Sequence, residues 1–437
     1  MVSEEQKFLS RGERAVARCD RLGDKPFSDE AGLLFRPWLG PGFQSTVETV
    51  ADWMREAGMD ARQDSASNMI GRYEGLIPGA PALLFGSHLD SVRDGGRYDG
   101  ILGVIAAIEV VSSFHERGER FPFALEIIGF GDEEGSRFPV TMLTTRAVAG
   151  VLEEDDPGTT FADLQDVDGV TVAQALNAAG LTARGMARAG REASELIGYV
   201  EAHIEQGPAL EAEGRAIGVV SGIAAQRRYE VKLHGTAGHA GTMAMALRQD
   251  ALAAAAEMVL AIEATARAYE GRDCLVATVG SLRVWPDVVN VVPGDVIFTI
   301  DVRAGSALIR DLVINSVLEQ IRHIADRRGI GAEIIPRENL AGVPCDPRLL
   351  ALLEAAVADV TGSPARVLVS GAGHDAMIMA RLVPMAMLFI RCERGISHNP
   401  AEAVRAEDVD IAIGALTDFV RRLAAAENSD TVSKHSD

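Results

Sequence analysis

Pro81-Ala-Leu-Leu-Phe-Gly-Ser87 is a short apolar run, Ile101 to Glu116 is a long apolar stretch of helical length, and Phe123-Ala-Leu-Glu-Ile-Ile-Gly-Phe130 is a second short apolar run. Short runs without polar alternation have the look of strands buried on both faces. Strand, helix and strand at this spacing predict a mostly parallel α/β sheet. Between the first strand and the helix lies Gly86-Ser-His-Leu-Asp-Ser-Val-Arg-Asp-Gly-Gly-Arg-Tyr-Asp-Gly100, a glycine-rich loop carrying His88, Asp90, Asp94 and Asp99.

Outward from this centre the texture changes twice. The first 80 residues read as helices, with Val47, Val50 and Met54 on an apolar face and Glu48, Asp52, Arg55 and Glu56 around it. From about Ala216, Ile217 to Val220 and Arg228 to His234 alternate apolar and polar residues, as in a sheet with one wet face. An Ala-rich helix (Asp250 to Tyr269), strands at Cys274 to Val279 and Val296 to Val302, and an amphipathic helix (Ile309 to Arg328) follow. This β-α-β-β-α-β order resembles a ferredoxin-like α+β sandwich inserted in the larger domain. After Pro336 the α/β texture resumes with strands at Val367 to Ser370 and Met385 to Arg391 and a last helix at Ile411 to Ala426. The expected domains are therefore 1–216 with 336–437, and an insert at 217–335. The polar tail from Glu427 to Asp437 is expected to be disordered.

Composition narrows the function classes. With 63 Asp+Glu against 42 Lys+Arg the formal net charge is −21, which argues against a partner recognised through phosphates. A chain of 437 residues that is 47% hydrophobic has material for two or three domains with substantial cores. The first residues show no cationic segment running into an apolar one. The longest nearly apolar helical stretch, Ala251 to Ile262, contains Glu257 and falls short of the roughly 20 residues that span a bilayer. A soluble cytoplasmic protein without a membrane partner is expected. Cys19, Cys274, Cys345 and Cys392 are far apart and are expected to be buried thiols, neither a disulfide framework nor a zinc knot.

The chemistry-bearing residues cluster at strand ends, where open α/β sheets build their sites. Alone, the aspartates of the 86–100 loop could be turn chemistry. Gly129-Phe-Gly-Asp-Glu-Glu-Gly135, however, places Asp132, Glu133 and Glu134 directly after the second buried strand. Adjacent acids losing hydration there need cations or protons to compensate them. Glu201-Ala-His-Ile-Glu-Gln-Gly-Pro208 and Gly395-Ile-Ser-His-Asn-Pro400 each follow a further strand. A mix of imidazole and carboxylate donors suits zinc, manganese or cobalt.

These segments resemble the dinuclear metallohydrolases that include aminoacylases, N-carbamoyl-L-amino-acid hydrolases and allantoate amidohydrolases. The motifs are GSHLDSVRDGGRYDG, GDEEGSRF, HIEQGP, AGHAGT, NVVPG…FTIDVR, SGAGHDAM and GISHNPAE, spread from about Cys19 to Asp410. The resemblance implies two divalent metal ions per subunit (manganese or zinc, with cobalt or nickel also tolerated). His88 and His203 would bind one, Glu134 and His398 the other, and Asp99 would bridge them. It implies Glu133 as general base, Asp90 as the carboxylate that orients His88, His239 as an oxyanion stabiliser, and Gln206, Arg228, Asn290, Arg303 and Gly371 as substrate contacts. It also implies a cis Asp99-Gly100 peptide and a homodimer joined through the inserted lid domain. His374 would support the loop it sits on, while His115, His234, His323 and His435 are assigned no role. Where the family usually reads His-Ala-Gly-Thr-Thr-Pro-Met, this chain reads His239-Ala-Gly-Thr-Met-Ala-Met245, losing a hydroxyl and a rigid φ beside His239.

The implied activity is hydrolysis of a ureido C–N bond in a small ureido-carboxylate. Allantoate is favoured by the runs Val92 to Gly100 and Met387-Leu-Phe-Ile-Arg-Cys392; an N-carbamoyl-L-amino-acid hydrolase is the alternative. A non-catalytic binding protein on the same fold would be expected to have lost a ligand or the base, and none is missing.

Overall fold

The computed structural model describes residues 9–152, 160–269, 271 and 273–434. The chain divides into two compact units: Met1–Ser221 with Cys345–Leu368 and His374–Asp437, and Gly222–Pro344 with Val369–Gly373.

The first unit is built on a mixed, mostly parallel sheet. Its opening elements are α1 (Arg11–Leu22), α2 (Pro41–Glu56), β1 (Asp60–Gln63), β2 (Met69–Tyr73), β3 (Ala82–His88), α3 (Ile101–Arg117) and β4 (Ala124–Phe130). β5 (Leu196–Ile204), β6 (Ile217–Ile223) and the strand Met385–Ile390 complete its centre. The spatial order is β1-β2-β4-β3-β5, then Met385–Ile390, then β6. Within it β4, β3, β5 and Met385–Ile390 run parallel, while β1, β2 and β6 pair antiparallel at the margins.

Every residue of β3 and β4 is buried, which is why both read as unbroken apolar runs. α3 is buried along nearly all of its length except the last turn, and ends at Gly118 in the left-handed conformation. It lies so close to β5 that a side chain on Gly103 would overlap the Ala202 carbonyl oxygen. Its one buried acid, Glu109, is met by guanidinium groups of Arg14 at 2.7 Å, Arg18 at 3.0 Å and Arg11 at 3.4 Å from α1.

The second unit carries a five-stranded sheet in which Leu282–Trp285, Asp295–Ala304, Ala225–His234 and Gly331–Leu340 are neighbours in that order, all antiparallel. The helices Ala251–Arg267 and Ala307–Arg328 are capped by the side chains of Asp250 and Ser306. Burial alternates strictly along Asp295–Ala304, so one face of this sheet is packed and the other is wet.

Five expectations are corrected. The first 80 residues are not all helical, since Asp60–Gln63 and Met69–Tyr73 form the antiparallel strands β1 and β2. Ile217 to Val220 belong to β6, buried in the large sheet beside Met385–Ile390, and the last antiparallel strand of the second unit runs on to Leu340. The unit boundaries therefore fall at 221/222 and 344/345 instead of 216/217 and 335/336. The tail expected from Glu427 is helical to Lys434, because the Ala-rich helix beginning at Ala406 continues through it; 435–437, with His435, lie outside the described residues. Cys274 is exposed, in a turn at positive φ, whereas Cys19, Cys345 and Cys392 are buried. The cis peptides among the described residues are Lys25-Pro26 and Trp285-Pro286, so Asp99-Gly100 is trans; the turn there is made by Gly100 at φ +67°.

Candidate metal centre

Parallel neighbours end on the same side of a sheet, and this alone gathers four distant segments. His88 closes β3 opposite Phe130 of β4, and His203 of β5 lies opposite Phe389. The loops that follow carry Asp99, Glu133 and Glu134, and His398. Donor atoms of His88, Asp99 and His203 lie within 4.8 Å of one another, as do those of Asp99, Glu134 and His398, and of His88, Glu133 and Glu134. Asp99 stands between the two histidine groups: Oδ1 is 3.2 Å from His203 Nε2 and Oδ2 is 3.1 Å from His398 Nε2. His398 Nε2 is also 3.3 Å from Glu134 Oε1. Gly100 has to be glycine, since a Cβ there would overlap the His88 ring.

The electrostatics are those of a site short of positive charge. Burial pushes the Glu134 carboxyl up to about 8, with Asp99 adding to the effect. Glu133 is raised well above its usual value by burial and then by Glu134, Asp375, Asp90 and Glu201, all of its own sign. Burial lowers His88 to about 4, leaving its imidazole neutral with a lone pair to offer. Asp99 resists its own burial: the hydrogen bond from His398 and the nearby His203 and His88 keep it below the usual carboxylate range. Neutral imidazoles beside crowded, buried carboxylates are the donor set that divalent cations such as zinc or manganese neutralise, so these residues fit a metal pair.

Several residues stand differently from the sequence expectation. The Asp90 carboxylate accepts the backbone N–H groups of Glu133 at 3.1 Å and Glu134 at 3.3 Å, so it fixes the acidic loop. What meets His88 Nδ1 at hydrogen-bond distance, 3.1 Å, is the Asp90 carbonyl; the carboxylate is 3.7 Å away. Gln206, expected to face substrate, turns its amide to both oxygens of Asp99 at 3.2 Å.

In the second unit the expected substrate contacts form two groups. Arg303 forks onto Asp301 at 3.1 and 2.9 Å and donates to the Gly371 carbonyl at 2.7 Å, while Arg228 shares the same Asp301 oxygen at 3.0 Å. These residues line a cavity of about 560 Å³. The guanidinium fork is thus met by a carboxylate of its own strand, because Asp301 and Arg303 are two apart and share a face. His239 and Asn290 form the other group, joined where Ala240 N–H donates to the Asn290 carbonyl at 2.9 Å. The Met243 methyl lies against Gly238, in the run where this chain departs from the usual family motif.

Three further buried groups escaped the sequence reading. Glu201 accepts from Ser87 at 3.0 Å, Tyr199 at 3.2 Å and Ala376 N–H at 2.8 Å, and clusters with His203 and His374. Its position two before His203 in one strand, on the same face, was the available signal. Asp375 accepts from Thr145 in the same layer. Glu402, the last residue of GISHNPAE, contacts the Asp99 loop and carried no signal beyond that position.

Comparison with known proteins agrees with this geometry. The sequence profile of peptidase family M20/M25/M40 matches residues 84–422. Allantoate deiminase 1 of Glycine max is 38% identical over 94% of this chain and 89% of its own length. The N-carbamoyl-L-amino acid amidohydrolase of Geobacillus stearothermophilus is 38% identical over 96% of this chain and 100% of its own. A solved amidase of the hydantoinase/carbamoylase family from Burkholderia multivorans superposes with a TM-score of 0.85 at 32% identity, covering 95% of this chain and 98% of that one.

Proposed function

Because the chain belongs to peptidase family M20/M25/M40, we propose that it is a metal-dependent amidohydrolase cleaving the ureido C–N bond of allantoate. The observation that carries this reading is Asp99, buried with one oxygen toward His203 and the other toward His398, beside a Glu133 whose carboxyl is raised by burial and by the like charges of Glu134, Asp375, Asp90 and Glu201. His88, His203, Glu134 and His398 would hold two divalent cations with Asp99 between them. Bound there, such cations supply polarisation of the ureido carbonyl and activation of water.

The chain's own groups do the rest. Glu133, held by its backbone N–H on Asp90, takes a proton from the attacking water and returns it to the leaving nitrogen. Water adds to the carbamoyl carbon, the bond to the substrate's amine nitrogen breaks, and the carbamate released separates into ammonia and carbon dioxide. Arg303 is the contact for the substrate carboxylate, exchanging Asp301 for it, with Arg228, Asn290, Gly371 and His239 as further contacts, while Gln206 stays on Asp99. We read the working form as a cytoplasmic homodimer joined through the second unit, which would act as a lid; among the described residues no helix is long and apolar enough to cross a membrane.

Hydrolysis of N-carbamoyl-L-amino acids is the second reading, favoured by the Geobacillus relative matched over its whole length. Ammonia release by the manganese-loaded protein from allantoate and from a panel of N-carbamoyl amino acids decides between them. Glu133→Gln tests the mechanism: it should keep its metal and lose orders of magnitude in kcat. Normal turnover by that variant would refute Glu133 as the base.

A further inference from the structure

We propose that Glu402 is a positioning residue that fixes Asp99 relative to His398 and so sets the geometry in which two cations can share the Asp99 carboxylate. This rests on the metal-centre reading above and adds a residue to it. Asp99 sits in an irregular segment between β3 and α3, with no ladder of backbone hydrogen bonds to hold it. Glu402, 5% exposed, supplies the missing tie from across the chain. Its Oε1 accepts the N–H groups of Tyr98 at 2.8 Å and Asp99 at 3.1 Å. Its Oε2 lies 3.0 Å from the Ser397 hydroxyl, which is itself 2.9 Å from Asp99 Oδ2.

One carboxylate therefore grips the backbone of Asp99 and shares with the Asp99 side chain the single Ser397 hydroxyl hydrogen that lies between them. Because Ser397 precedes His398, the same grip ties the two donors that face each other at 3.1 Å. Space has been made for this contact: a Cβ on Gly96 would overlap the Glu402 carboxylate. His398 has φ +53° and Gln206, also on Asp99, has φ +55°, conformations that side chains adopt only where surrounding bonds impose them.

The test uses the full chain as wild type, Glu402→Ala, Glu402→Gln and Ser397→Ala, with manganese stoichiometry by elemental analysis and manganese affinity by chelator competition. The wild type should bind two ions. Glu402→Ala should weaken the affinity by about 10–100-fold, the usual effect of removing a group that orients a ligand, and lower kcat with little change in KM. Glu402→Gln keeps the oxygen that accepts both backbone N–H groups and can donate its amide to Ser397, so its affinity should stay within a few-fold of wild type. A folded Glu402→Ala protein with wild-type affinity, or a Glu402→Gln protein as impaired as the alanine variant, overturns the proposal. If Glu402→Ala does not fold, Ser397→Ala decides: weakened manganese binding supports the proposal and unchanged binding overturns it. A wild type that binds no manganese overturns the metal-centre reading itself, an outcome distinct from two bound ions in wild type and variants alike.

Discussion

Removing the metals should make stability fall as pH rises, in a window set by Glu134. Its carboxyl, 9% exposed, is pushed from its usual 4.5 up to about 8 by burial and by Asp99. Between those values the folded, metal-free protein holds a proton that the unfolded chain has released, so unfolding becomes easier with each increment of pH. Below 6.5 the opposite term competes. Burial lowers His88 to about 4 and His374 well below its usual value, so unfolded imidazoles take up protons that the folded ones refuse. The clean window therefore runs from 6.5 to about 8. Each excess proton is worth about 1.4 kcal/mol per pH unit, so Glu134 alone contributes about 2 kcal/mol across the window, a shift of roughly 4 °C in Tm for a domain of this size, and Glu133, Asp132 and Asp375, raised well above their usual values chiefly by burial, act in the same direction. His398, raised to about 9 mainly by its hydrogen bond to Asp99, acts in the same direction. Bound cations take the place of those protons, so the metal-loaded protein should not show the fall. Thermal unfolding with chelator and with manganese, across the window, measures the gap between the two forms. A gap that stays constant or narrows as pH rises would show that the cluster does not hold excess protons in the absence of metal, and the charge argument for the centre would fail with it.

Other perturbations reach separate parts of the argument. Gly100→Ala places a side chain on the His88 ring at a φ of +67°, so manganese content should drop and kcat should fall by about 100-fold, the usual effect of a misplacement near 1 Å; elemental analysis and steady-state rates close to wild type would contradict this. Glu109→Gln leaves Arg11, Arg14 and Arg18 around a neutral amide and should cost about 2 to 3 kcal/mol in urea unfolding, somewhat below a fully buried pair because the arginines are partly exposed; a loss under about 0.5 kcal/mol would mean the cluster is effectively solvated. Arg303→Lys removes the fork and should raise KM for a carboxylate substrate about tenfold with kcat little changed, the equivalent of one charge-assisted hydrogen bond; an unchanged KM removes Arg303 from the substrate site.

Much of the first unit is visible in the letters because burial on both faces leaves no alternation: β3, β4 and α3 are readable one by one. Ile217 to Val220 are read less well, since a strand of glycine and valine looks the same whether it edges a small sheet or completes a large one, and only its partner Met385–Ile390 decides. The histidines and acids of the centre announce themselves by standing directly after strands. Asp90 and Gln206 could be named but not aimed: which atom of Asp90 reaches His88, and that Gln206 turns toward Asp99, depend on loop paths that no local pattern encodes. Glu402 is harder still, being an ordinary acid three hundred residues from the backbone it holds.

The order of residues by itself determined an α/β chain with donor-bearing loops at its strand ends, because hydrophobic periodicity and the chemistry of side chains are local properties. The tertiary structure alone decided that β3, β5 and Met385–Ile390 lie side by side and parallel, and hence that His88, His203 and His398 face one aspartate. That choice depends on hydrogen bonds between segments far apart in the chain, whose pairing is selected by the packing of the whole unit.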